Sequence, residues 1–118
     1  MTGATHLIGI GGVGMSALAQ ALLDKGCVVS GADRQIAASA APPPTSVLRA
    51  LAAQGVALFP DDGSGVDAGT ARIIVSTAIE DTNPGLRKAR AAGIPVVHRA
   101  AALAEALAGR KLVAVAGT

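Results

Sequence analysis

Apolar residues along this chain fall into two alternating patterns, short continuous runs and longer amphipathic stretches, with glycine or proline between them. Leu7-Ile8-Gly9-Ile10 is the first run and predicts a strand. Met15, Leu18, Ala19, Leu22 and Leu23 follow at the i, i+3, i+4, i+7 spacing of a helix with one buried face, and Lys25-Gly26 ends it. The run from Cys27 to Ala32 predicts a second strand, and the Ala-, Ser- and Pro-rich stretch from Gln35 to Thr45 a surface loop. Ser46 is placed to cap a helix carrying Val47, Leu48, Leu51 and Ala52, which Gly55 closes, and Val56 to Phe59 predicts a third strand. Pro60 to Gly69 is polar and glycine-rich enough for a turn or a weak helix.

Arg72 to Ser76 has the nearly continuous apolar character of a strand covered on both faces, the mark of a parallel sheet. Asn83-Pro84 opens a helix that runs through Leu86 and Ala89 to Gly93, because proline costs nothing in a first turn. Ile94 to Val97 predicts a strand, Ala101 to Leu107 a helix, and Leu112 to Ala116 a last strand. Strand and helix therefore alternate, which predicts an α/β fold: a Rossmann-like, doubly wound parallel sheet of about five strands joined by right-handed crossovers.

Composition narrows the function. The chain has 118 residues, 51% hydrophobic and 1% aromatic, enough for one core built from aliphatic side chains. Ten basic residues stand against eight acidic ones without a basic run longer than two, and only one aromatic ring is available to stack on bases. That excludes a general nucleic-acid binder. Cys27 is the single cysteine, so an internal disulfide framework and a cysteine zinc cluster are excluded; it reads as inert core in a cytoplasmic protein. The first 23 residues lack Asp, Glu, Lys and Arg, but Gly9, Gly11, Gly12 and Gly14 interrupt the apolar stretch and no positive segment precedes it, which argues against a signal peptide and a membrane span.

Gly9-Ile10-Gly11-Gly12-Val13-Gly14 satisfies G-x-G-x-x-G between a predicted strand and a predicted helix. In such a loop the first glycine permits the tight turn, the second lets backbone approach a diphosphate, and the third lets the helix pack on the strand; free N–H groups and the helix dipole then face a phosphate. Asp33, 19 residues after Gly14 at the end of the second strand, is placed to meet a ribose or base, or simply to begin a turn. Arg34 beside it faces water or adds a contact. Ser76-Thr77-Ala78-Ile79 follows the fourth strand at the carboxyl end of the sheet, where its hydroxyls serve a ligand or cap a turn. His6 and His98 have no partner at metal-ligand spacing and read as surface or edge residues, and Glu80-Asp81 as a solvated turn. No nucleophile elbow occurs. Val113 to Thr118 reads as a strand running into the start of a phosphate-binding loop, at Gly117 and Thr118, without the Gly-Lys-Ser/Thr that would hold an ATP phosphate and Mg²⁺.

These blocks resemble the amino-terminal domain of the Mur ligases over nearly the whole chain. His6 to Ser16 is similar to that family's H-x-I-G-I-G-G-x-G-M-S, Val29 to Asp33 to its V-S-G-S-D with Ala32 in place of serine, and Ser76 to Ile79 with Asn83-Pro84 to its S-[ST]-A-I…N-P. Gly93 to Ala100 resembles G-I-P-V-x-x-R-A, and Val113 to Thr118 the V-A-V-A-G-T that leads into the P-loop. The branch most resembled joins L-alanine to UDP-N-acetylmuramate in peptidoglycan synthesis.

The resemblance implies a UDP-N-acetylmuramate-binding domain over residues 1–110 and, at 111–118, the first strand of an ATP-binding domain. The backbone of Gly9, Gly11, Gly12, Val13, Gly14, Met15 and Ser16 would hold the UDP diphosphate, and Asp33, Arg34, Ser76, Thr77, Ala78 and Ile79 the uridine. ATP and Mg²⁺ would serve the whole enzyme, with no metal site and no cofactor in this stretch, which would bind substrate and catalyse nothing alone. Neither nucleic acid nor membrane is an expected partner. Three readings compete: an NAD(P)-binding domain of an oxidoreductase or an NAD-sensing regulatory module, which the glycine loop and Asp33 fit equally; a folded module that only positions other domains and keeps a vestigial nucleotide site; and, within the family, a ligase that recycles an intact murein tripeptide.

Overall fold

The computed structural model describes residues 3–36, 45–77 and 79–108. In chain order its elements are β1 (Ala4–Ile8), α1 (Val13–Asp24), β2 (Val29–Asp33), α2 (Ser46–Ala53), β3 (Ala57–Pro60), β4 (Thr70–Val75), α3 (Pro84–Ala91), β5 (Val96–His98) and α4 (Arg99–Ala108). The strands form one five-stranded sheet in the order β3-β2-β1-β4-β5, every pair parallel. The predicted strand at 112–116 and most of the Pro-rich loop lie outside the described residues.

β1 is the central strand, and its register sets the two faces. Leu7 lies opposite Gly31 and Ile74 and points to one face, where Leu18, Leu22, Leu48 and Leu51 of the helices close over it. Ile8 and Ile73 point to the other, against Val66, Leu86 and Ala89. Both crossovers that leave β1 and β2 carry helices on the Leu7 face, and the β4-to-β5 crossover runs toward the opposite edge, so handedness places α3 on the Ile8 face. α4 breaks that progression. It returns to the Leu7 face, where Ala102 and Ala106 join the core beside α1, the Lys25 ammonium donates to the Ala106 carbonyl at 3.4 Å, and Arg72 pairs with Glu105 at 3.0 Å.

Local chemistry explains the boundaries; most strands and α4 are shifted by one to three residues from the sequence expectation, and three differences bear on the core and the caps. β1 begins at Ala4, so His6 lies in its middle, 1% exposed, rather than ahead of it at the surface. Ser30 satisfies its ring, His6 Nδ1 and Ser30 Oγ sharing a hydrogen bond of 2.8 Å, while the buried Thr5 beside it accepts at Oγ1 from the Arg72 guanidinium at 3.2 Å. Ile10 belongs to the turn after β1, not to the strand, and is fully buried. Thr45, not Ser46, caps α2, its Oγ1 accepting the Leu48 N–H at 3.1 Å. Asn83 caps α3 as expected, accepting the Gly85 and Leu86 N–H groups. Residues 61–69 are turns, with no helix.

Candidate functional site

The carboxyl ends of β1, β2 and β4 meet where the strand order reverses, the place at which open α/β sheets bind ligands. A cavity of about 450 Å³ opens there. The turn from β1 into α1 forms its floor, with Gly9 in the left-handed region at φ +79°, which a side chain would resist. Ile10 pins this turn from below: a Cβ on Gly31 would lie 2.7 Å from the Ile10 Cβ. The loop is thus plugged into the large core by one aliphatic side chain.

Hydrogen bonding in the turn leaves a defined set of donors open. The N–H groups of Gly9 and Ile10 are spent on the Ala32 carbonyl, that of Gly12 on Gly9, and that of Gly11 on the Asp33 carboxylate at 2.8 Å. Val13, Gly14 and Met15 begin α1, where a helical N–H has no carbonyl four residues back within its own helix, and the cap residue Gly12 has no side chain to satisfy them. The first turn of this 12-residue helix, with its N–H groups at the positive end, therefore borders the cavity, which Gly12, Gly14 and Met15 line. Val13 itself is 92% exposed beside them.

The structure reassigns the work of two glycines. A Cβ on Gly11 would lie 2.8 Å from Asp33 Oδ2, so the second glycine makes room for the chain's own carboxylate. A Cβ on Gly14 would lie 2.6 Å from an Arg99 guanidinium nitrogen, so the third glycine accommodates a cation rather than the packing of helix on strand that the sequence suggested. Arg99, the first residue of α4, received no role in the sequence reading. The signal was available, since it directly follows a strand at the carboxyl end of a parallel sheet.

Asp33 is 7% exposed, with Oδ2 on Gly11 and Oδ1 accepting the Gln35 N–H at 3.0 Å. It braces the loop and begins a turn at once. Ser76 and Ile79 line the same cavity from the β4 side, Thr77 is exposed, and Ala78 lies outside the described residues. Ser16 turns its hydroxyl back to the Val13 carbonyl at 3.1 Å. Arg34 lies elsewhere: 81% exposed, 3.8 Å from Asp61, it borders a second cavity of about 460 Å³ that shares Ile79 with the first. Asp61, Asp62 and Glu80 border that space too, making it the more acidic of the two. Gly117 and Thr118 lie outside the described residues.

Among the described residues no group of three His, Cys, Asp or Glu side chains could hold a metal ion, and no helix is long and apolar enough to cross a membrane. His98 is exposed at the end of β5 and accepts the Ala100 N–H, whereas His6 is sealed in the sheet beside Phe59, where burial lowers its pKa from 6.5 to about 4. Glu80 and Asp81 are both solvated, as expected. Cys27 is half-buried against the core.

Comparison with known proteins bears on this site. The signature described as "Mur ligase family, catalytic domain" matches residues 4–111. The UDP-N-acetylmuramate–L-alanine ligase of Arthrobacter sp. is 43% identical over 116 residues, covering 98% of this chain and 23% of its own length. The chain thus spans about a quarter of the length of the curated relatives it matches. The crystal structure of the UDP-N-acetylmuramate-alanine ligase of Thermotoga maritima superposes with a TM-score of 0.78 at 26% identity, over 92% of this chain and 24% of that one. A murein peptide ligase of Psychrobacter arcticus shares the fold at 20% identity and a TM-score of 0.73, over 87% of this chain and 20% of its own.

Proposed function

The chain belongs to the Mur ligase family, and we propose that it forms the substrate-binding domain of a ligase that joins L-alanine to UDP-N-acetylmuramate in peptidoglycan synthesis. The observation that carries this reading is the open first turn of α1 at the mouth of the glycine-loop cavity. Three convergent N–H groups on a helix N-terminus suit a dianionic diphosphate, and a glycine loop braced from below holds them in place without reorganisation.

In this reading the backbone from Gly9 to Ser16 surrounds the diphosphate, with Val13, Gly14 and Met15 donating. The uridine runs past Asp33 toward Ile79, between the Ser76–Ile79 segment and Arg34, along the line that joins the two cavities. Relatives named for the L-alanine ligase, at 43% identity, support this substrate over a nicotinamide dinucleotide. ATP and Mg²⁺ would supply the activation of the substrate carboxylate for attack by the amine of L-alanine. The described residues form no cluster fit to hold that metal, and the part argued for this chain is to bind and orient the nucleotide end of the substrate. A cytoplasmic location, with neither nucleic acid nor membrane as partner, belongs to the same proposal.

Calorimetric titration of the chain with UDP-N-acetylmuramate, UDP and NAD in parallel tests it. Both uridine ligands are expected to bind, and Gly12→Val, which places a branched side chain where Gly12 follows the turn, abolishes the heat. Binding of NAD alone, or of none of the three, overturns the reading.

A further inference from the structure

We propose that Arg99 is the phosphate clamp of this site: its guanidinium and the first-turn N–H groups of α1 grip one diphosphate from two sides, so that the anion relieves a repulsion built into the empty cavity. The inference rests on the nucleoside-diphosphate reading above and adds to it a residue, a ligand preference and an energetic sign.

The argument begins from a placement that is unfavourable as it stands. Helix N-termini attract anions and repel cations, because the aligned peptide dipoles leave a partial positive charge at the first turn. Yet the Arg99 guanidinium lies against Gly14 in the first turn of α1, close enough that a methyl group there would come within 2.6 Å of a guanidinium nitrogen and 3.3 Å of its central carbon. None of the ion pairs among the described residues includes Arg99. The other cation at this end of the sheet behaves differently: Arg34 stands out in water and lies 3.8 Å from Asp61. The nearest acid of the glycine loop, Asp33, spends both carboxylate oxygens on the backbone of Gly11 and Gln35.

Two positive poles therefore face one cavity, and the one carboxylate among its lining residues, Asp33, is turned to the backbone of Gly11 and Gln35 and makes no ion pair with Arg99. An anion entering there gains both poles at once, and a planar guanidinium matches two phosphate oxygens in a fork. The position of Arg99 in the chain makes the clamp stiff. It is the first residue of α4, which is fixed to α1 and the sheet by Ala102, Ala106, the Lys25 bond to the Ala106 carbonyl and the Arg72–Glu105 pair. The guanidinium is thereby delivered to the loop by a helix packed on the helix it serves.

The test replaces the charge and keeps the stem. Arg99→Met is expected to weaken UDP binding about 10- to 100-fold, the usual range for one charge-assisted bond to a phosphate, to leave uridine binding unchanged, and to flatten the salt dependence of UDP binding. Its melting temperature without ligand stays level or rises, because a repulsion has been removed; Arg99→Lys recovers part of the UDP affinity. A second variant, Gly14→Ala, pushes the guanidinium aside without touching its charge and gives the same loss for UDP and none for uridine. Equal UDP binding by wild type and Arg99→Met overturns the clamp while the nucleotide reading stands. A parallel loss of UDP and uridine binding with a lower melting temperature also overturns it, in favour of a purely structural arginine. Wild-type protein that binds no UDP refutes the nucleotide reading itself.

Discussion

The face of the sheet that carries α1, α2 and α4 buries an almost unbroken apolar cluster, whereas the face that carries α3 buries a small one and, beside it, the polar pair His6 and Ser30. The glycine loop is anchored in the first through Ile10; the acid-lined cavity borders the second through Pro84 and Asn83. One face thus gives the site its rigidity, because a close-packed aliphatic core has no slack to absorb a shifted loop. The other face holds its shape with hydrogen bonds and capping, which solvent conditions can reach. The contrast teaches that a single parallel sheet can offer a ligand one stiff wall and one adjustable wall.

The most direct way to break the stiff wall is Gly31→Val. Its Cβ would collide with Ile10, and because the clash is with a fully buried side chain, the cost is about 3 kcal/mol or more, a fall of roughly 10 °C in melting temperature. Uridine-ligand binding is expected to fall with it, as calorimetry at a temperature where the variant remains folded would register. Gly55→Ala, at a left-handed turn where nothing lies within 4 Å of the new methyl, provides a strained but uncrowded comparison.

The adjustable wall responds to pH. Burial holds the folded-state pKa of His6 at about 4, below its ordinary 6.5, so between those values the unfolded chain binds a proton that the folded chain refuses. Its contribution is therefore present above 6.5 and lost as pH falls to about 4, in total roughly 3 kcal/mol. Urea unfolding near neutral pH and near pH 4 measures the loss, and His6→Gln removes that part of the slope. An unchanged slope in the variant would reject the buried histidine as its source.

Smaller effects separate the two walls further. Asp33→Ala leaves the Gly11 N–H without its acceptor and is expected to cost about 2 kcal/mol, more than Asp33→Asn, which keeps an oxygen for it. Asn83→Ala removes the α3 cap and its bond to Asp61, about 1 kcal/mol by thermal melting. Glu105→Ala, which removes the solvent-exposed partner of Arg72, costs under about 1 kcal/mol and least of all in high salt.

Much of this architecture is legible in the sequence because its signals are local. Runs such as Arg72 to Ser76, the periodic stripe from Met15 to Leu23, and punctuation at Gly26, Gly55, Asn83 and Gly93 are each decided by neighbours within a few positions. What escaped depends on distant partners. His6 reads as a polar residue ahead of a strand until Ser30 is brought beside it, and Ile10 as a strand residue until Gly31 leaves it a socket. Thr45 and Ser46 are equivalent caps by type, and only backbone geometry chooses between them. In the candidate site, the glycine spacing points to a ligand at the loop, yet it cannot tell that Gly11 makes room for Asp33 and Gly14 for Arg99, residues 22 and 85 positions away.

The two outer strands among the described residues carry one more consequence, for behaviour in a crowded solution. β3 ends on Pro60, which has no N–H to offer a neighbouring strand, and β5 is only three residues long and directly follows Pro95. Short, proline-flanked borders are poor templates for another extended segment, so a sheet whose central strands are rich in aliphatic residues is guarded against edge-to-edge growth. Among the described residues, these borders are expected to disfavour fibrillar growth.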